Sequence, residues 1–276
     1  MLFHHTLLSP GDREAAFVID GILQNEVIKS HTHSTDTHGY TETIFAAMHL
    51  IDVSFAPRIK KVGAQQLYSI DPVRAYRKNK NRIQPHKKIN TKLLRSHWDD
   101  VLRLMASIKS KMVTASQIFK RLNSYTIEHP LYKTLREFGR IIKTNYILTY
   151  INDLSFRKSI EKQLNRIEAS HKFARAVFFA NCQEFRTGSI HEQEIIVACR
   201  TLIQNCIVLW NYLYLSQTLI ELPKDEQQDL LSVIKESSII TWRHINLHGE
   251  YDFQAANQAV SRIRFELSKI KRFKAA

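Results

Sequence analysis

The chain has 276 residues, enough for one large domain or two smaller ones. Its hydrophobic fraction of 44% and charged fraction of 24% exclude an intrinsically disordered chain, a collagen-like repeat and a disulfide-stabilised miniprotein. The net charge is +14, and residues 55–125 account for all of it with 17 basic and 3 acidic side chains. A neutral body with one strongly basic segment predicts a polyanion-binding module. Nucleic acid is the commonest partner of such a module; a membrane surface or an anionic protein is the alternative.

The cysteines, the first residues of the chain and one apolar stretch bear on the compartment of the protein. Cys182, Cys199 and Cys206 form no CxxC pair, which favours a reducing compartment and buried thiols. The start of the chain has no signal-peptide pattern, so we expect a cytoplasmic protein. Residues 195–215 resemble a membrane span in apolarity, but Arg200 and three amide side chains favour a buried helix. We therefore expect no membrane partner.

In chain order, the first part of the sequence alternates predicted strands and helices. Short strands are predicted at residues 3–9, 31–36 and 53–59, and apolar spacing of three to four predicts helices between them, at 13–29 and 41–51. Residues 60–95 read as a basic loop.

The remainder of the sequence is predicted to be helical. Apolar periodicity indicates three helices between about residues 90 and 153, followed by helices at 156–180, 193–222 and 225–235. Residues 241–253 have no regular pattern, and 255–276 read as a basic amphipathic tail. No internal repeat is visible.

Two acidic residues stand out as candidates for chemistry. Asp36 lies where a predicted strand meets a turn, the place where α/β sheets bind ligands, although many such aspartates are simple turn or cap residues. Glu168 lies in the predicted helix 156–180, on a face of mixed charge that is also typical of a solvated helix. His31, His33 and His38 allow a zinc site, but no further ligands follow at suitable spacing. The usual dinucleotide, P-loop, zincin and serine-hydrolase motifs are not present.

A series of colinear motifs carries a family resemblance. STDTHGYTE at 34–42 and HLIDVSFAPRI at 49–59 resemble the second-aspartate region of the Tn-three family of replicative, DDE-type DNA transposases. Further similar stretches follow in the same order: WDDVLRLMASIK at 98–109, TASQIFKRLNSY at 114–125, EFGRIIKTNYILTYIND at 137–153, QLNRIEASHKFARAVFF at 163–179, IVLWNYLYL at 207–215 and WRHINLHGEYDF at 242–253. The resemblance covers roughly residues 14–253.

The resemblance implies a bacterial enzyme of DNA recombination that moves a transposable element. Its catalytic core would be RNase H-like, with Asp, Asp and Glu binding Mg²⁺, for which Mn²⁺ can substitute. Asp36 is similar to the second aspartate and Glu168 to the glutamate, whereas Asp20 does not match the first. In such sites two metal ions clamp the attacking and leaving oxygens of a phosphodiester. Water first attacks the transposon ends, and the freed 3′-hydroxyls then attack target DNA.

The resemblance also implies roles for other side chains. His171 and Arg166 would support the metal site or contact phosphate. The DNA phosphate contacts would come from the basic segment, through Arg74, Arg77, Lys78, Lys80, Arg82, Lys87 and Lys88. The partners would be transposon-end and target DNA, together with a second copy of the chain or a full-length transposase.

The expected fold class is α/β and helix-rich overall: a partial RNase H-like core interrupted by a large helical insertion. Residues 1–59 would form its first part and 156–253 its second, with the basic helical insertion at 60–155 and a basic tail at 254–276. RNase H-like sheets have strand order 3-2-1-4-5, and residues 3–9, 31–36 and 53–59 would be strands three, four and five.

The first aspartate and the family's N-terminal DNA-binding region have no match in the sequence. We therefore expect a C-terminal transposase fragment that is inactive and poorly soluble alone. The first hypothesis is an enzyme by descent that cleaves and transfers DNA strands. The second is a non-catalytic remnant that binds DNA or full-length transposase, and the third is a helical nucleic-acid-binding protein unrelated to catalysis.

Overall fold

The computed structural model describes residues 6–8, 14–25, 30–36, 40–78, 82–125, 128–178, 185–236, 240–247 and 249. These residues are mostly helical, with two small parallel sheets of two strands each. The chain divides into two compact units, Leu8–Leu164 and a second unit made of Met1–Leu7 with Asn165–Ala276.

The first unit begins with two helices and the first sheet. Helix α1 is Glu14–Gln24 and helix α2 is Glu42–Leu50, and between and after them lie strands β1, Thr32–His33, and β2, Ser54–Phe55. Thr41 is the N-cap of α2, and its hydroxyl accepts a hydrogen bond from the Ile44 amide at 3.3 Å. Strands β1 and β2 are parallel neighbours, as the resemblance implies for residues 31–36 and 53–59.

The β1–β2 pairing extends beyond the two residues assigned to each strand. The amides of Ser54, Ala56 and Arg58 donate to the carbonyls of His31, His33 and Thr35 at 2.8–2.9 Å. Parallel strands need a crossover, which α2 supplies here. The predicted strands 31–36 and 53–59 are thus present as a parallel ladder, although with shorter assigned cores.

The basic segment is more structured than a loop, so the loop prediction for 60–95 was wrong in part. It contains a 3-10 turn at Val62–Ala64, strand β3 (Tyr68–Ser69), helix α3 (Val73–Lys78) and strand β4 (Lys87–Lys88), and β3 pairs in parallel with β4. The strands were missed because two-residue strands have no apolar alternation to detect.

Three helices complete the helical part of the first unit. They are α4 (Thr91–Lys109), α5 (Ala115–Ser124) and α6 (Pro130–Asn152). Helix α6 packs closely against α2, and its Gly139 lies so near the Glu42 carbonyl that a Cβ atom would overlap it. The core at this crossing is aromatic: Phe45 lies 5.0 Å from Phe55 and 5.3 Å from Tyr146, centroid to centroid.

Helix α7, Leu154–Val177, continues from the first unit into the second. The second unit then contains α8 (Ile190–Glu221), α9 (Lys224–Glu236) and the irregular residues 240–247. These helices match the predictions to within a few residues at each end. Helix α8 is long and apolar enough to cross a membrane, as core helices of soluble proteins can also be. Only 28% of its most apolar window is buried, so the prediction of a buried helix at 195–215 was wrong in part.

Two predictions about side-chain burial and strand content need correction. Cys199 and Cys206 are exposed rather than buried, because α8 packs through the face that carries Val197, Thr201, Gln204 and Ile207. Of the predicted strand 3–9, residues 6–8 have no strand structure and the others lie outside the described residues. His38, Lys80, Cys182 and the tail 254–276 also lie outside them.

Candidate functional site

Asp36 directly follows the β1–β2 ladder. The last bond of the ladder joins the Arg58 amide to the Thr35 carbonyl at 2.9 Å, and Asp36 is the next residue, with an exposed side chain. The carboxyl ends of parallel strands are where α/β sheets present ligand-binding groups. The first unit thus presents the Asp36 carboxylate to solvent at such an end.

The histidine of β1, His33, is positioned for packing. The His33 ring stacks on Phe55 with a centroid separation of 6.2 Å and an interplanar angle of 4°. Burial lowers the pKa of His33, which keeps the ring neutral near pH 7. The described residues contain no group of three or more His, Cys, Asp or Glu side chains placed to hold a metal ion, so the zinc alternative has no ligand set among them.

Asp20 has a structural role in the first unit. Its carboxylate is nearly buried and accepts hydrogen bonds from the amides of Ala115 at 2.5 Å and Ser116 at 3.1 Å. These amides open helix α5, where a carboxylate satisfies unpaired donors and the helix dipole. Asp20 therefore supplements the Thr114 N-cap of α5, in keeping with its failure to match a catalytic aspartate.

Glu168 lies on α7 and is exposed in a pocket of the second unit. The pocket has a volume of about 380 Å³, and its lining residues are Asn165, Glu168, Ala169, Lys172, Ile240, Thr241, Trp242 and Arg243. His171 and Arg166 are also exposed on α7, but neither belongs to this lining. Trp242 and Arg243 were not predicted to be neighbours of Glu168, although the WRHINLHGEYDF motif that contains them resembles the family.

The same face of α7 carries a second glutamate in the first unit. Glu161 precedes Glu168 by seven residues, two helical turns, and it forms an ion pair with Arg58 at 3.4 Å. Arg58 is the residue whose amide closes the β1–β2 ladder. The first half of α7 is thus joined by an ion pair to Arg58, whose backbone pairs with Thr35, the residue before Asp36.

The basic side chains predicted to contact DNA lie in the first unit. Arg74, Arg82, Lys87 and Lys88 are exposed, and Arg77 and Lys78 lie in the last turn of α3. The segment that carries them is attached to α6 at strand β3 and at the start of α4. The Tyr68 amide donates to the Thr144 hydroxyl at 3.0 Å, and the Asn90 amide donates to the Glu137 carboxylate at 3.0 Å. These bonds give the basic segment a defined place on the helical body.

Comparison with known proteins identifies the family. The Tn3 transposase DDE domain family matches residues 1–251. The chain is 38% identical over 254 residues to the transposase for transposon Tn1546 of Enterococcus faecium, which covers 92% of this chain and 25% of that protein. It is 38% identical to the transposase for transposon Tn501 of Pseudomonas aeruginosa and 29% identical to the transposase for transposon gamma-delta of Escherichia coli, covering 90% of this chain and 25% of each relative.

The chain thus spans about a quarter of the length of these relatives. No solved structure was found to match it. The motifs around Asp36 and Glu168, the helix-rich fold and the extent of the match agree, and the chain belongs to the Tn3 transposase DDE domain family.

Proposed function

We propose that this chain supplies Asp36 and Glu168 as metal ligands to a transposase that cleaves and transfers DNA strands in replicative transposition. The observation that carries the proposal is the position of these two acids in a member of the family. Asp36 follows the end of a parallel ladder, and Glu168 lines a pocket beside α7. Asp20, the aspartate of α1, is engaged as a cap of α5 and is left out of the proposed site.

The donor chemistry of the two acids fits Mg²⁺, with Mn²⁺ as a substitute. Both are carboxylates with exposed side chains, so waters and phosphate oxygens can complete the coordination that Mg²⁺ prefers. A bound divalent ion would supply charge neutralisation and activation of the attacking oxygen. The residues of the chain would hold the ion and orient the DNA backbone beside it.

The Arg58–Glu161 pair supports a role for α7 in this site. Glu161 and Glu168 lie on one helical face, and Glu161 binds the arginine that closes the ladder before Asp36. This ion pair joins α7 to the ladder within the first unit. His171 and Arg166 remain candidates for supporting contacts.

We propose the domain organisation that follows from this site. Residues 1–59 and 156–253 would form the two parts of an RNase H-like core, 60–155 a basic helical insertion and 254–276 a tail. The insertion would bind DNA through Arg74, Arg77, Lys78, Lys80, Arg82, Lys87 and Lys88. Release of counterions from DNA makes such binding weaken steeply as salt rises.

Metal binding by matched variants tests the proposal. The full chain would be titrated with Mn²⁺ in the presence of a DNA duplex, and free Mn²⁺ followed by electron paramagnetic resonance. We expect Asp36→Asn and Glu168→Gln each to weaken binding by at least about tenfold, since each removes a charged ligand. The matched controls are Asp99→Asn on α4 and Glu226→Gln on α9, both exposed, which should bind as the wild type does.

Unchanged Mn²⁺ binding in both site variants would contradict the proposed ligands. Plasmid nicking by the wild-type chain alone in Mg²⁺, abolished by Asp36→Ala, would contradict the expected inactivity and strengthen the site. DNA binding that requires salt-sensitive contacts but no metal would instead favour the second function, a non-catalytic nucleic-acid-binding protein. The observation that favours this alternative is that the described residues contain no cluster of three metal-ligating side chains.

A further inference from the structure

The pocket beside Glu168 has a charge pattern that metal binding alone does not explain. Its lining contains one carboxylate, Glu168, and two cations, Lys172 and Arg243, together with the polar side chains of Asn165 and Thr241. The cations outnumber the acid, so the lining as a whole favours an anion. Its volume of about 380 Å³ is within the range of sites that bind small ligands or parts of larger ones.

Arg243 reaches this pocket on a segment that is fixed from two helices. The Trp242 ring stacks on Phe173 of α7, with centroids 5.0 Å apart and planes 13° apart, and Phe173 is buried. On the other side of Trp242, the Asn211 side chain of α8 donates to the Thr241 carbonyl at 2.8 Å, and Asn211 is also buried. Two buried anchors on neighbouring residues therefore hold the backbone that precedes Arg243.

A tight turn fixes the backbone that follows Arg243. The Ile245 amide donates to the Trp242 carbonyl at 3.0 Å, so Arg243 lies inside the turn with its side chain exposed. An arginine that served only as a solvated surface charge would need neither the aromatic stack nor the amide anchor. The segment is built to present this guanidinium next to Glu168.

The guanidinium group of arginine matches the geometry of a phosphodiester better than that of a small spherical anion. The planar guanidinium donates two parallel hydrogen bonds to two non-bridging oxygens of one phosphate. Lys172, one helical turn after Glu168, adds a second positive charge on the same wall of the pocket. Glu168 lines the same pocket as these two cations.

We propose that the pocket is a phosphodiester-binding subsite, in which Arg243 and Lys172 bind a DNA backbone phosphate beside the Glu168 carboxylate. This inference rests on the proposed function, since it assigns the anion to DNA. Trp242 is a positioning residue that keeps Arg243 in place through its stack on Phe173. The subsite explains why the irregular segment 240–247 is anchored at the Glu168 helix.

The test uses the full chain and a labelled DNA duplex of random sequence. Affinity is measured by fluorescence anisotropy between about 50 and 200 mM salt, where the slope of log K against log salt counts phosphate contacts. We expect Arg243→Ala to reduce the magnitude of this slope by about one, with partial recovery in Arg243→Lys. The matched control is Arg186→Ala, an exposed arginine of the same unit outside the pocket lining.

The outcomes separate this inference from the proposed function. Wild-type binding without salt dependence would overturn both. A salt-dependent wild type whose Mn²⁺ binding is lost in Glu168→Gln, but whose slope is the same in Arg243→Ala and Arg186→Ala, would overturn the subsite alone. A reduced slope in Arg243→Ala with unchanged Mn²⁺ binding and unchanged melting temperature supports the subsite, because a merely structural role would lower the melting temperature instead.

Discussion

Helices α2 and α8 show how differently the two units are held together. Six of the nine residues of α2 are buried, and they include Phe45 and Met48 at 1% exposure. Helix α8 buries seven of its 32 residues and exposes large apolar side chains such as Leu202, at 64%. The unit that carries Asp36 thus has a dense core around its ladder. The unit that carries Glu168 depends on a few anchors, Phe173 and Asn211 among them.

The largest expected effect on stability comes from removing a buried side chain of α2. Phe45→Ala should lower the free energy of unfolding by about 3–5 kcal/mol, since it removes a buried ring in contact with Phe55 and Tyr146. Leu202→Ala on the exposed face of α8 should change it by less than about 0.5 kcal/mol. Urea denaturation of both variants measures the contrast. Equal losses would show that α8 is as tightly packed as α2.

At the closest point of the α2–α6 crossing, Gly139 should not be replaceable by a residue with a side chain. Gly139→Ala places a methyl group on the Glu42 carbonyl, so the helices must separate, at a cost of about 2–3 kcal/mol. Gly63→Ala is the matched control, because a Cβ there meets no atom within 4 Å. Thermal unfolding of the two variants compares them. A stable Gly139→Ala protein would mean that α2 and α6 are not fixed as described.

The ion pair at this crossing makes the stability of the first unit depend on pH. Burial raises the pKa of Glu42, but the hydrogen bond and charge of Lys143 at 2.9 Å outweigh it, and the pKa lies below its ordinary value. The pair therefore stabilises the fold above the unfolded-state pKa, and this contribution is lost as pH falls through the folded-state pKa.

Glu42→Gln should accordingly lower the free energy of unfolding by about 1.5–3 kcal/mol at neutral pH. The difference from wild type should shrink as pH falls below about 4. Denaturation at a series of pH values measures it. A difference that stays constant down to acidic pH would show that the carboxylate charge contributes nothing to this crossing.

The smallest effect concerns Asp20 and separates structure from chemistry. Asp20→Ala removes two hydrogen-bond acceptors from the start of α5, while the Thr114 N-cap remains, and should cost about 1–2 kcal/mol. Mn²⁺ binding should be unchanged, because this carboxylate serves the amides of Ala115 and Ser116. Loss of metal binding in a folded Asp20→Ala protein would make Asp20 a ligand and refute its assignment as a cap.

Apolar periodicity predicted the helices, and the family resemblance implied that the strands at 31–36 and 53–59 are neighbours. Neither predicts the side-chain contacts made between distant parts of the chain. The strand before Asp36 and the helix of Glu168 follow from the local sequence pattern and from the motifs. The β3–β4 sheet does not, because β3 is held by Thr144 of α6, and Asn90, which follows β4, is held by Glu137 of α6. Cys199 and Cys206 were assigned to the core because α8 is apolar on most sides, which hides the face that packs.

The neighbours of Glu168 illustrate the same limit within the candidate site. Trp242 and Arg243 belong to an irregular segment whose sequence shows no relation to α7. Their position depends on the Phe173 stack and the Asn211 hydrogen bond, which only the folded chain displays. The only indication in the sequence was that the motif with Glu168 and the motif with Trp242 both resemble the same family.

Metal-directed backbone cleavage tests most directly whether Asp36 and Glu168 share one metal site. Fe²⁺ would replace Mg²⁺ in the full chain with duplex DNA, and ascorbate and peroxide would generate hydroxyl radicals at the bound ion. The account predicts cuts near both Asp36 and Glu168, and loss of both sets of cuts in Asp36→Asn and in Glu168→Gln. Cuts near only one of the two residues, or cuts that persist in either variant, would contradict it.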